Sequence, residues 1–187
     1  MTDRVREASP DALATPAALN LELKARDPTP GRTLATARAL GARDRGVSNQ
    51  IDTFFVVPRG RLKLRESEDV AELIEYERKD LPGPRTSRYR RLQIAHPERY
   101  RDVLSAELGV LAVIEKRRHL MVKGNVRIHL DRVRDLGTYV ELEAVVPPGH
   151  RATSELPKLN SLRRALAIAD ERLVAGSYLD ELIPGRT

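Results

Sequence analysis

The sequence predicts an α+β fold in which about eight antiparallel strands curl into a barrel or strongly curved sheet, with a few helices packed outside. Three features predict it. Eight short segments alternate apolar and polar residues with a two-residue period, Gly, Pro or Asp bounds each of them, and only four stretches carry helical spacing.

In chain order, residues 1–18 mix Ser, Thr, Pro, Ala and charge without sustained periodicity, and read as a flexible extension ahead of one domain over 19–187. Strands are expected over 19–26, 49–57, 61–66, 71–78, 87–94, 110–122, 125–133 and 138–146. Pro82-Gly83-Pro84, Lys123-Gly124-Asn125 and the region of Gly137 supply turns. Helices are expected over 33–40 after a Pro-Gly start, over 97–108 ending near Gly109, over 153–166, and over 178–183. In the third of these Leu159, Leu162 and Leu166 fall on one stripe.

Composition narrows the class. The 187 residues are 41% hydrophobic and 32% charged, enough apolar content for a core, and no apolar run approaches a membrane span. The first twenty residues have no apolar signal core, so a cytoplasmic location is the default. With no cysteine, disulfides and thiolate-ligated zinc are excluded. A net charge of +6 favours anionic partners, whether nucleotides, polyphosphate, nucleic acid or acidic proteins. Only 4% of residues are aromatic and there is no Trp, which weighs against a single-strand nucleic-acid platform. The sequence has no P-loop, GxGxxG, HExxH or nucleophile elbow.

The two faces of the strands differ sharply. In Asn20-Leu21-Glu22-Leu23-Lys24-Ala25-Arg26 the even positions are polar or charged and the odd ones apolar. Arg61, Lys63 and Arg65 share a face, as do Arg127, His129 and Asp131, Glu141 and Glu143, Lys116 and Arg118, and Tyr76 and Arg78. Either these charges face bulk water over an ordinary leucine core, or they line a wet internal channel while the leucines face outward beneath the helices. The repetition of the pattern, the segregation of cations from carboxylates by strand, and helical stripes that need apolar partners favour the channel. His129 on its own is more often a hydrogen-bonded structural residue than a proton carrier. The basic run Arg85–Arg91 reads as a solvated segment, with a mobile lid or a nucleic-acid patch as the functional alternatives.

At these residues the sequence resembles the CYTH family of class IV adenylyl cyclases and triphosphatases, over about 19–182. Asn20-Leu21-Glu22-Leu23-Lys24 is similar to the family's ExExK strand. Residues 50–55, 61–66, 115–118, 127–131 and 137–143 are similar to later strands, and 177–182 to the ending of the cyclase-like branch. The resemblance implies an eight-stranded triphosphate tunnel. In it Lys24, Lys63, Arg65, Arg78, Lys116 and Arg118 bind phosphate, Lys24 and Arg127 serve catalysis, and Glu22, Asp131, Glu141 and Glu143 hold Mg2+ or Mn2+. It further implies a small-molecule triphosphate such as ATP as partner, favoured over nucleic acid, which stays open as a third reading, and a homodimer as one possible assembly. From composition, no membrane partner is expected. The activity expected is conversion of ATP to cyclic AMP and pyrophosphate, with triphosphate hydrolysis and non-catalytic nucleotide or polyphosphate binding as alternatives. One position departs from the pattern: Asn20 stands where the motif has an acid, and an amide oxygen brings no negative charge to a hard cation.

Overall fold

A computed structural model describes residues 17–183. Most of the expected extension therefore lies outside the described residues, and Ala18 already belongs to the first strand. The strands are β1 (Ala18–Arg26), β2 (Arg43–Phe55), β3 (Arg61–Ser67), β4 (Ala71–Arg78), β5 (Arg85–Ile94), β6 (Val110–Lys123), β7 (Val126–Val133) and β8 (Gly137–Val145). They close in the order β1-β5-β4-β3-β2-β6-β7-β8, every pair antiparallel, with β1 bonded to both β5 and β8. Closure leaves the sheet no free lateral edge.

The helices are α1 (Pro30–Ala39), α2 (Pro97–Leu108), α3 (Leu156–Ala165) and α4 (Tyr178–Leu182). Proline at the first turn opens α1, α2 and α3, where its missing N–H costs no helical bond. The stretch expected as one helix over 153–166 divides into a 3-10 turn, Ala152–Glu155, and α3.

Register decides which residues face inward. Glu22 pairs with Glu143 and Lys24 with Glu141, while Leu21 and Leu23 pair with Ala144 and Leu142. The apolar set of β1, β7 and β8 points out of the barrel and packs beneath Ala37, Leu159, Leu162 and Leu166. Leu23, Ile128, Leu142 and Leu159 are wholly buried there, and removing such contacts costs on the order of 2–5 kcal/mol per leucine. The charged set lies inside, so the channel alternative is the one realised. A second apolar cluster, with Leu62, Leu73 and Leu92 of β3–β5, packs under Leu104 and Leu108 of α2. The outer face of β2 and β6 has less cover: Ile51 and Val113 are 43% and 48% exposed.

β2 begins six residues earlier than the sequence alone suggests. Its first residues are exposed and highly charged, so they show no alternation. Pairing to β6 makes them a strand, across a bulge between Asp44 and Val47 where Gly46 takes φ +93°. Asp44 also accepts from Gly46 N and Arg38, both at 2.9 Å, and lies 2.7 Å from His119 Nε2. The basic run at 85–91 is the start of β5, not a loop, which removes the mobile-lid reading.

Candidate active site: a charge-lined bore

The barrel encloses a cavity of about 390 Å³ lined from all eight strands and by Ser177 and Tyr178. α4 stops one end. Its Ser177–Asp180 capping box holds the turn, Asp180 accepts from Arg61 at 2.9 Å, and Glu181 binds Arg26. Tyr178 projects from this plug into the bore, edge-on to Tyr139 at 5.0 Å, with Lys24 Nζ 3.6 Å from its ring centre. Near the other end Arg127 crosses from β7 towards β5, donating to Tyr89 OH at 3.3 Å.

One wall is cationic and is organised by a carboxylate. Asp52 of β2, 1% exposed, accepts from Lys63 Nζ at 2.9 Å, from Arg65 Nε and Nη2 at 2.7 and 2.8 Å, and from Lys116 Nζ at 2.5 Å. Burial works to raise its carboxyl, but Arg65, Lys116 and Lys63 outweigh that and hold it well below the usual range. Burial, together with Arg65, lowers Lys63 to about 8. Lys116 is driven further down, first by burial and then by Arg65. Lys63 and Arg65 line the cavity, whereas Lys116, its side chain wholly buried, does not.

The opposite wall is acidic. Glu141 meets Lys24 Nζ at 3.3 Å, Arg118 Nη2 at 3.1 Å and His129 Nδ1 at 3.4 Å. Glu143 meets Arg127 Nε at 3.1 Å and His129 Nδ1 at 3.7 Å. Burial pushes both carboxyls up, yet the opposing charges, led by Lys24 for Glu141 and His129 for Glu143, bring both below the ordinary value. Ligand atoms of His129, Glu141 and Glu143 lie within 4.8 Å of one another, a spacing that fits one divalent ion.

The remaining expected residues have other partners. Asp131 sits outside the cavity lining, with Oδ1 on Arg118 Nε at 2.8 Å and Oδ2 on Arg118 Nη2 and Tyr178 OH, both at 2.6 Å. Burial opposes ionisation there, but Arg118 prevails and lowers Asp131 to about 2. Glu22 is engaged by Arg78 and lies 3.4 Å from Arg85 Nε. Asn20 Oδ1 accepts from Arg127 Nη2 at 3.3 Å, or at 3.0 Å with the amide turned over. Thus Lys24, Lys63, Arg65, Arg78, Arg118 and Arg127 converge on the cavity with Glu22, Glu141 and Glu143, while Lys116 and Asp131 stand outside its lining.

Three contributors escaped sequence reasoning. Asp52 is one, and its signal was a poor strand former in the middle of a strand, on the same face as Gln50 and Phe54. Arg85 is the second: 4% exposed, it donates to Val174 O at 2.8 Å, and its Nη2 has no hydrogen-bond partner among the described residues. Tyr178, third, is recognisable only once α4 is seen to enter the barrel.

A closed eight-stranded antiparallel barrel with helices outside and opposed cations and carboxylates within has the architecture of the triphosphate tunnel fold. The chain belongs to the CYTH domain family, whose profile matches residues 18–178. Among solved structures, the PH1012 protein of Pyrococcus horikoshii OT3 superposes with TM-score 0.75 at 20% identity, over 86% of this chain and 98% of that one. A candidate adenylate cyclase from Vibrio parahaemolyticus gives TM-score 0.74 at 19% identity, over 88% and 97%. HpAC1 from Hippeastrum, a candidate adenylyl cyclase described as having a dominant triphosphatase activity, gives 0.61 at 14%, over 86% and 91%. At these identities the likeness is one of fold. No curated protein matches the sequence. No helix among the described residues is long and apolar enough to cross a membrane.

Proposed function

We propose that the bore is the active site of a metal-dependent enzyme that processes a small triphosphate. The observation that carries the reading is the excess of inward cations. Lys24, Lys63, Arg65, Arg78, Arg91, Arg118 and Arg127 line the cavity against Glu22, Asp52, Glu72, Glu141 and Glu143. So many buried charges need a polyanion and water to be satisfied.

In this reading the cations bind and straighten the triphosphate, and they neutralise the charge that builds on the bridging and leaving oxygens. Arg65, Arg78 and Arg118 supply planar forks suited to phosphate oxygens, and Lys63 a point charge. Lys24 and Arg127, on the two strands that flank the Glu141–Glu143 pair, serve the leaving group. Glu141, Glu143 and His129 would hold Mg2+ or Mn2+, which supplies Lewis-acid polarisation of the phosphate. The resemblance adds Glu22 and Asp131 to the metal ligands; their oxygens face the Arg78 and Arg118 guanidiniums, which they also position.

The same clamp serves attack by a ribose 3′-hydroxyl on the α-phosphorus, releasing pyrophosphate, or attack by water on the terminal phosphorus. Cyclisation of ATP rests on the likeness of 177–182 to the cyclase-like branch. Hydrolysis draws equal support from the activity described for HpAC1. Incubation with ATP, tripolyphosphate or thiamine triphosphate and either metal, followed for cyclic AMP and for phosphate, separates the two. Background levels of both products from the folded protein would end the catalytic reading.

Asn20 favours a second reading, binding without turnover, since its amide engages Arg127 and adds no charge for a metal. Turnover gained by Asn20→Glu would support that reading, and unchanged turnover would count against it.

A further inference from the structure

The geometry points to Asp52 as a positioning residue that fixes Lys63 and Arg65 in one array facing the triphosphate, with Lys116 as its buried support. The inference rests on the triphosphate reading above and adds a residue that takes no part in binding the substrate itself. Four hydrogen bonds converge on this one carboxylate, from side chains of two neighbouring strands. Lys63 and Arg65 come from β3 and line the cavity, whereas the Lys116 side chain, wholly buried on β6, is outside the lining. Pairing of Asp52 opposite Arg65 across β2 and β3 makes the arrangement a property of register, so it exists before any ligand arrives.

The charge balance explains why an anion belongs there. Without it three cations would lie together in a buried wall, repelling each other and favouring loss of a proton. With it the two forward cations stay charged and point into the bore. Lys63 is the sensitive member. The groups that face it are Asp52 of β2, Arg65 of its own strand, Lys116 (on the same Asp52 oxygen) and Arg118 of β6, and the Tyr76 ring of β4 at 5.6 Å. An incoming triphosphate adds negative charge beside Lys63 and raises its pKa. Its contribution to binding is therefore complete below about pH 8, where the free lysine is protonated, and is lost as pH rises through the bound value.

Calorimetric titration of tripolyphosphate into the metal-free protein across pH tests this. The wild type should bind, with affinity falling above about pH 8. Asp52→Asn should bind about tenfold more weakly at pH 8 and move the alkaline fall downward by about 1–3 pH units, with the deficit closing at mildly acid pH. Asp52→Glu should restore most of the wild-type profile. A merely structural role would lower the melting temperature and leave the alkaline fall where it was, and that result overturns the inference. If the wild type binds and Asp52→Asn matches it at every pH, the positioning role fails and the function stands. If the wild type does not bind, both fail. Should the Asn variant not fold, the wild-type alkaline fall and the Glu variant decide: no fall near pH 8 overturns the inference.

Discussion

The two walls of the bore are built from similar residues and solve opposite problems. On the β2–β3–β6 side one carboxylate, Asp52, is surrounded by Lys63, Arg65 and Lys116, so the wall presents positive charge around a buried anion. On the β7–β8 side two carboxylates, Glu141 and Glu143, flank His129, and their cations arrive from neighbouring strands: Lys24 from β1, Arg118 from β6 and Arg127 from β7. In the proposed reading a polyanion completes the first wall and a metal ion the second. The contrast teaches that in a wet, low-dielectric bore the identity of a charge says less than its neighbours do. A carboxylate gathered by three cationic side chains, as Asp52 is, acts as scaffold, whereas two carboxylates that share a histidine have the spacing of a cation site.

The contrast can be broken most severely on the acidic wall. Glu141→Gln should lower turnover by about 10²–10³-fold and raise the metal concentration needed for half-maximal rate, while metal-free tripolyphosphate binding persists, because Lys24 and Arg118 lose an internal competitor. Parallel rate and calorimetric measurements check it. If metal-free binding disappears as well, the walls are not separable. Next in size, Leu159→Ala on the wholly buried outer layer should cost about 2–5 kcal/mol of stability by denaturant melts, with KM unchanged, since it touches neither wall. On the cationic wall, Lys63→Met should raise KM about tenfold with a smaller change in kcat, the pattern of lost ground-state binding.

Acid sensitivity gives a smaller effect. The Asp131 carboxyl, lowered from 3.8 to about 2, adds stability that is fully present above pH 3.8 and drains away as pH falls towards 2. Unfolding midpoints measured from pH 5 down to pH 2 should fall less steeply in Asp131→Asn than in the wild type. Smallest is Tyr178→Phe, which removes only the hydroxyl bond to Asp131 and should cost about 1 kcal/mol while keeping the ring beneath Lys24.

The alternation of Leu21 and Leu23 with Glu22 and Lys24, repeated around eight strands, was legible in the chain, and so were the leucine stripe of α3 and the inward cations. Less legible was the start of β2, where residues 43–48 are exposed and carry no periodicity until β6 lends them hydrogen bonds. Arg85 looked like one member of a solvated basic run, because composition does not reveal that β5 turns it inward beside Glu22. Asp131 and Glu141 are both carboxylates on inward strand faces. Their surroundings set them apart, and those come from residues 12–117 positions away.

What the amino-acid sequence determined by itself was local: the strand period, the helix starts at proline, the charge on one face and the leucine on the other. These follow from side-chain alternation and backbone preference, which act between near neighbours. Closure of the sheet decided the rest. Once β1 joins β8, Lys24 meets Glu141, Arg118 meets Asp131 across β6 and β7, and Asp52 gathers cations from β3 and β6. Electrostatic roles are set by distances of a few ångströms between residues far apart in the chain, and only the barrel's register brings them that close.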